Sequence, residues 1–429
     1  MTCLQTVMCN SIKHGYRICQ LDFVAVYLNG ELRDMDIFMV LPPGFGVCFK
    51  QSPQSVCNLK KALYGLKQSG CEWYSKLDHC LTVMAFAQLG QDMAMYKMGL
   101  VVVAVYVDDL IIVGIDSDVD HMITTICAQF KITGSDDAEW CLSVHIQQLQ
   151  DCTTVLLGQM SYIDTILECF SMTRANPVKT PLDPSAVNLS PKDASHKTLN
   201  KAQTMIYQQM IGSVIYLMTS TCLDLVFVVG NLAKYLSLPT MVHLNQACHL
   251  LCYISYMCNS RLTYLIDDNS RVLLAYSDAN HTGSWKENPY SMSGFVLMLF
   301  GGAIAWRSHW QRIISTSTAE AEVVALSNAC HDIDWLIDIV KGLGLISGND
   351  VGVVLHTDNQ AAQWVASSNG PQQNKALTLW AAYIKDTVKR GLVIIKWIPG
   401  KLQVADGLTK LLNARGSNKS QEDLGVLAE

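Results

Sequence analysis

The stretch that most limits the fold is residues 100–114, LVVVAVYVDDLIIVG. Two runs of β-branched and aliphatic residues flank a pair of adjacent carboxylates, Asp108 and Asp109. Apolar runs of this length that end at a turn read as buried strands, so the stretch predicts a β-hairpin with acids at its tip. Neighbouring anions on a buried base repel each other and lose hydration. Spacing alone leaves two readings open. One is an ordinary solvated Asp-Asp turn; the other is a pair of oxygen ligands for a hard divalent cation.

A second set of acids sits at strand ends and helix starts further on. Residues 272–278, VLLAYSD, read as a strand ending in Asp278, and residues 351–358, VGVVLHTD, as a strand ending in Asp358. Between them, residues 317–344 predict a long helix opened by a Ser317-Thr318-Ala319-Glu320 capping box. Glu322 lies roughly 200° round that helix from Glu320, so only one of the two faces a given site. Capping suits Glu320 and leaves Glu322 for chemistry. Asn359 is placed to cap the helix after Asp358. Residues 393–398 predict a last strand, and Asp406 opens a short helix, where the dipole favours an acid. Four such acids are what a two-metal nuclease needs, because several carboxylates must offset two cations about 4 Å apart.

Tyr106-Val107-Asp108-Asp109 resembles the YVDD box of reverse transcriptases, and VAVYVDDLIIVG resembles its copia-type retrotransposon form. QLDFVAVYLNGEL, residues 20–32, is similar to that family's first catalytic motif. This makes Asp22 the third metal carboxylate and Tyr27 the aromatic beside the nucleotide sugar. FMVLPPGF (38–45) and VCNLKKALYGLKQSGCEWY (56–74) resemble family segments too. The second implies substrate contacts from Tyr64 and Lys67, with Lys60 and Lys61 available to phosphate; Tyr106 joins them from the YVDD box. YSDANHTGSW, STSTAEAEVVAL, TDNQAA and ADGLTK resemble the copia-type ribonuclease H domain, with Asp278, Glu322, Asp358 and Asp406 as its acidic tetrad.

The resemblance implies a multidomain α/β and α+β chain. Expected are a polymerase palm over 1–173, a linker over 174–206, and a helical connection over 207–268. A ribonuclease H-like fold over 269–412 and a disordered polar tail over 413–429 follow. It implies two Mg²⁺ or Mn²⁺ per site, an RNA template, a DNA primer and an RNA–DNA hybrid as partners, and dNTP where polymerisation survives. Asp22 lies so near the start that most of the basic fingers are missing, which predicts weak triphosphate binding. Some family positions have drifted. Pro-Arg is Gly70-Cys71, Arg-Pro is Cys222-Leu223, two arginines are His249 and Cys252, and two histidines are Ala376 and Ala382.

Half the residues are hydrophobic and 16% charged, a globular composition, while the net charge of −6 argues against binding nucleic acid by bulk charge. The 16 cysteines with no signal peptide read as reduced thiols, hence an intracellular protein, cytoplasmic or nuclear. No apolar run is of membrane-spanning length. Cys248, His249, Cys252 and Cys258 read as drifted helix positions rather than a zinc site. The rival to an enzyme, active chiefly as a nuclease, is an inactive relic that only binds nucleic acid or protein.

Overall fold

The computed structural model describes residues 1–32, 36–42, 56–90, 92–134, 137–183, 197–266, 273–281, 289–346, 352–367 and 375–428. Pro43 and Gly44 of the expected Pro-Pro-Gly turn, and residues 184–196 of the expected linker, lie outside them. The chain divides into two compact units, Tyr16–Ala138 and a second made of Met1–Gly15 with Glu139–Glu429. The expected domain borders are corrected accordingly. Helix α1 (Thr2–His14) and residues 139–173 join the larger unit, and residues 207–268 and 269–412, expected as separate domains, fall in that same unit. The reason is burial: Leu4, Val7, Met8, Cys9 and Ile12 of α1 are all inside, packed against strands of the larger unit.

The smaller unit starts with β1 (Arg17–Phe23), followed by a short ribbon, β2 (Phe38–Val40) with β3 (Val56–Asn58). Helix α2 (Ser69–Val83) leads to β4 (Ala87–Leu89), β5 (Asp92–Met98), β6 (Val101–Tyr106) and β7 (Asp109–Gly114). Helix α3 (Asp116–Cys127) and β8 (Ile132–Thr133) complete it. The six-stranded sheet runs β4-β5-β6-β7-β1-β8. Alternate residues of its central strands, among them Leu21, Val103, Leu110 and Ile112, meet Trp73, Leu77 and Leu81 of α2 in one core. The central hairpin is the predicted one, with Val107 and Asp108 as its two-residue loop. Such loops require positive φ at their first residue, and Val107 has φ 56°.

In the larger unit, β9 (Trp140–Cys141), β10 (Val144–Gln148) and β11 (Thr154–Gly158) begin an antiparallel sheet. Helices α4 (Met160–Cys169), α5 (Lys201–Ser220), α6 (Val226–Ala233) and α7 (Met241–Tyr256) follow. The helix α5 thus starts inside the expected linker, because Asn200 and Gln203 make a reciprocal capping box. Strand β12 (Ser260–Leu265) pairs with β11. A second sheet contains β13 (Leu273–Asn280), β14 (Met292–Leu299) and β15 (Gly302–Trp310), joined antiparallel. Helix α8 (Thr318–Gly342) crosses to β16 (Val353–Thr357), which runs parallel to β13. Helices α9 (Gln360–Ser367) and α10 (Lys375–Lys389) precede β17 (Val393–Trp397), giving the order β15-β14-β13-β16-β17.

Residues 413–428 are not a disordered tail. Helix α11 (Ala414–Asp423) is capped by Asn413, whose Oδ1 accepts from the Gly416 amide at 2.8 Å. Strand β18 (Val426–Ala428) then pairs with β12. Leu424 and Val426 are buried, so two apolar side chains and a free sheet edge organise a segment whose composition is polar. Among the described residues no helix is long and apolar enough to cross a membrane.

Candidate metal centres

In the larger unit three carboxylates converge. Asp278 is near the end of β13, Glu322 is on α8 and Asp358 immediately follows β16. Their ligand oxygens all lie within 4.8 Å of one another. Glu320 is taken up by the helix start: its amide donates to Ser317 Oγ at 3.2 Å, and its carboxylate accepts from the Thr316 amide at 2.7 Å. The reach-back therefore lands one residue before the cap amide that the sequence pattern favours. Its partner Glu322 points the other way, into the acid cluster.

Asp278 and Glu322 are each 5% exposed, and Glu322 Oε2 is buried without a hydrogen-bond partner. Burial, then the charges of Asp278 and Asp358, pushes the Glu322 carboxyl up to about 9. Burial raises Asp278 to about 6, and the Thr409 hydroxyl, which donates to its Oδ2, opposes the shift. Asp358 is also raised, by burial and by Asp406. Thr409 reaches Asp278 because residue 294, opposite it on β14, is glycine. A Cβ there would stand 2.6 Å from Thr409 Cγ2. Anions this close and this dry share protons or share a cation.

Asp406, the fourth expected acid, stands outside this trio. Asp406 Oδ2 pairs with Lys410 Nζ at 2.8 Å, one helical turn on, though its charge still acts on Asp278 and Asp358. Thr409 and Lys410 had no role assigned from sequence; their signal was position in ADGLTK, beside an acid. Asn359 caps α9 as expected, its Oδ1 accepting from the Ala362 amide at 3.0 Å.

In the smaller unit Asp22 on β1 lies directly across from Asp109 on β7, with Asp108 in the loop. Asp22 and Asp108 are exposed and Asp109 is half-buried. Burial raises the Asp109 carboxyl, opposed by Gln20 Nε2, which donates at 2.9 Å, and reinforced by Asp108 and Asp22. Thr133 Oγ1 donates to Asp22 Oδ2 at 3.2 Å. Among the described residues only Asp278, Glu322 and Asp358 bring three ligand atoms within 4.8 Å of one another; Asp22, Asp108 and Asp109 stand further apart. The rings of Tyr27 and Tyr64 meet edge to face at 4.8 Å, while Tyr64, Tyr106 and Lys67 are exposed. An apolar cavity of about 420 Å³ beside them is lined by Tyr27, Trp73, Tyr74, Leu77, Met93 and Val105. Cys248 and Cys252 lie one turn apart on α7 and gather no third ligand among the described residues; His249 Nε2 instead meets the Thr180 carbonyl at 2.9 Å.

Residues 2–184 match the family model described as reverse transcriptase (RNA-dependent DNA polymerase). The retrovirus-related Pol polyprotein of transposon RE1 from Arabidopsis thaliana is 28% identical over 99% of the chain. That of transposon TNT 1-94 from Nicotiana tabacum is 29% identical over 99%. The chain is similar to the reverse transcriptase and ribonuclease H part of copia-type polyproteins. The chain spans 28% and 32% of those two polyproteins' lengths. Its fold is similar to the foamy viral protease-reverse transcriptase solved in complex with RNA/DNA hybrid. The TM-score is 0.51 and the identity 12%, over 90% of this chain and 44% of that one.

Proposed function

We propose that the chain carries a metal-dependent nuclease in its larger unit that hydrolyses RNA in RNA–DNA hybrids, and a nucleotidyl-transfer site in its smaller unit. One observation carries the reading: a buried carboxylate trio with an orphaned oxygen on Glu322. The residues fit hard divalent cations, Mg²⁺ or Mn²⁺, two per site, held by Asp278, Glu322 and Asp358 with Asp406 adjacent. When bound, such ions polarise a phosphate and make water a nucleophile near neutral pH. The protein's part is orientation. Thr409 fixes Asp278 through its Oδ2, α8 aims Glu322, and Lys410 offsets the charge of Asp406.

In the smaller unit Asp22, Asp108 and Asp109 would hold the cations for attack of a primer 3′ hydroxyl on the α-phosphate of a dNTP, the bond to the β-phosphate breaking and pyrophosphate leaving. Tyr27 would lie against the sugar, with Tyr64, Lys67 and Tyr106 at the template and nucleotide. These acids are more exposed and further apart than the trio, which supports the nuclease as the stronger activity.

The test is cleavage of a labelled RNA–DNA hybrid in Mg²⁺, beside primer extension. Cleavage is expected and should fall at least about a hundredfold in Asp278→Asn. Extension, if present, should vanish in Asp108→Asn. A well-folded chain that cleaves no hybrid, or cleavage indifferent to Asp278, sinks the nuclease reading. The net charge of −6 favours one alternative, an inactive binding relic, which silence in both assays would leave standing.

A further inference from the structure

We propose that Trp73 is the positioning residue of the acid cluster in the smaller unit; this rests on reading Asp22, Asp108 and Asp109 as metal-holding carboxylates. Trp73 lies on α2 and is 3% exposed. Its indole N–H donates to the carbonyl of Val107 at 2.7 Å. Val107 opens the two-residue loop that presents Asp108, at φ 56°. A β-branched residue is strained at positive φ and stays there only when its surroundings hold it. The Trp73 hydrogen bond is such a hold.

The same side chain reaches the other acid-bearing strand. Phe23 follows Asp22, and its ring meets that of Trp73 edge to face at 5.0 Å and 70°. The Phe23 amide donates to the Asp108 carbonyl at 3.1 Å. Phe130 packs edge-on against both rings, at 5.4 and 5.5 Å. One buried indole thus fixes the backbone of both segments that carry the carboxylates. Asp22 and Asp108 are themselves exposed, so their aim depends on that backbone. Phenylalanine at position 73 would fill most of the space and leave the Val107 carbonyl without its donor.

The experiment is Mn²⁺ binding to the full chain, followed by electron paramagnetic resonance. The other centre is silenced by Asp278→Asn with Glu322→Gln, and Asp108→Asn defines the signal of interest. Trp73→Phe keeps a ring and loses the N–H; Trp73→His keeps a ring N–H on a smaller, more polar ring. Asp108-dependent affinity is expected to fall about three- to tenfold in Trp73→Phe, the worth of one hydrogen bond. In Trp73→His it should recover, although the thermal midpoint of that variant is the lower of the two. Affinity that follows stability instead, with Phe binding like the parent and His poorly, overturns the proposal. So does the absence of any Asp108-dependent Mn²⁺. In primer extension, Trp73→Phe should lower kcat with KM for dNTP little changed. A chain that shows the expected Mn²⁺ order yet extends no primer defeats the polymerase reading alone.

Discussion

The two acid clusters of this chain solve one problem in opposite ways. In the smaller unit the carboxylates stand at a hairpin tip and an adjacent strand, two of them exposed, so water screens their repulsion. In the larger unit they are buried and close, and the repulsion is carried by the fold itself. Water makes the first cluster cheap to keep empty. Burial makes the second costly to keep empty and correspondingly responsive to a cation.

The largest break in the comparison should come from removing one buried charge. Glu322→Gln is expected to stabilise the metal-free protein at pH 8 by more than about 1 kcal/mol, because folding then no longer has to put a proton on a carboxyl that is ionised in the unfolded chain. Asp108→Asn at the exposed tip should shift stability by less than about 0.5 kcal/mol. Differential scanning calorimetry without metal reads both. Equal effects at the two positions would erase the contrast.

Thermal stability against pH sharpens it. A carboxyl whose folded value lies above its unfolded one keeps a proton the unfolded chain has lost. Stability of the metal-free protein is therefore fully present below about 4.5 and falls as pH climbs to about 9. Millimolar Mg²⁺ should flatten that decline in the parent and leave Glu322→Gln unmoved. A decline unchanged by Mg²⁺ would show that the trio takes no ion.

Thr409→Val should come next, costing about 1–3 kcal/mol at neutral pH, since a buried oxygen of Asp278 then has no hydroxyl donor. Denaturant unfolding measures it, and a neutral result would mean the hydroxyl does not support Asp278. The smallest effect is expected for Lys410→Gln. Its ammonium is half-exposed, so breaking the Asp406 pair should cost less than about 1 kcal/mol. The same variant leaves Asp406 free of its ion pair, and the Mg²⁺ dependence of cleavage should shift toward lower concentration. A rise in the Mg²⁺ requirement would make Lys410 a support of the site rather than a competitor in it.

Much of this was legible in the sequence where local rules act. The residues 100–114 hairpin follows from two apolar runs and a two-residue turn, and the division of labour between Glu320 and Glu322 follows from helical angle together with the capping box. What spacing did not carry was partnership at long range. Nothing local in TCLQTVMCNSIKH says that α1 packs beside β11, β12 and β15 rather than with the sheet that follows it. The polar run 413–423 reads as solvated, yet Ser417 and Ser420 are buried. Asp406 sits in the expected motif, and the lysine one turn away takes its carboxylate. Trp73 was visible as part of a family segment, while its bond to Val107 depends on a backbone angle that no residue pattern displays.

The placement of α1 bears on synthesis. Its apolar side chains are covered by strands more than a hundred residues downstream, and β12 in turn pairs with β18 near residue 428. The smaller unit is one continuous stretch and has all its strands once residue 138 has left the ribosome. At about 5–20 residues per second, α1 would wait roughly 15–60 s for β15, the last of the strands that cover it. Throughout that interval a greasy helix stays exposed while the smaller unit can already close, which makes the nascent chain a substrate for chaperones.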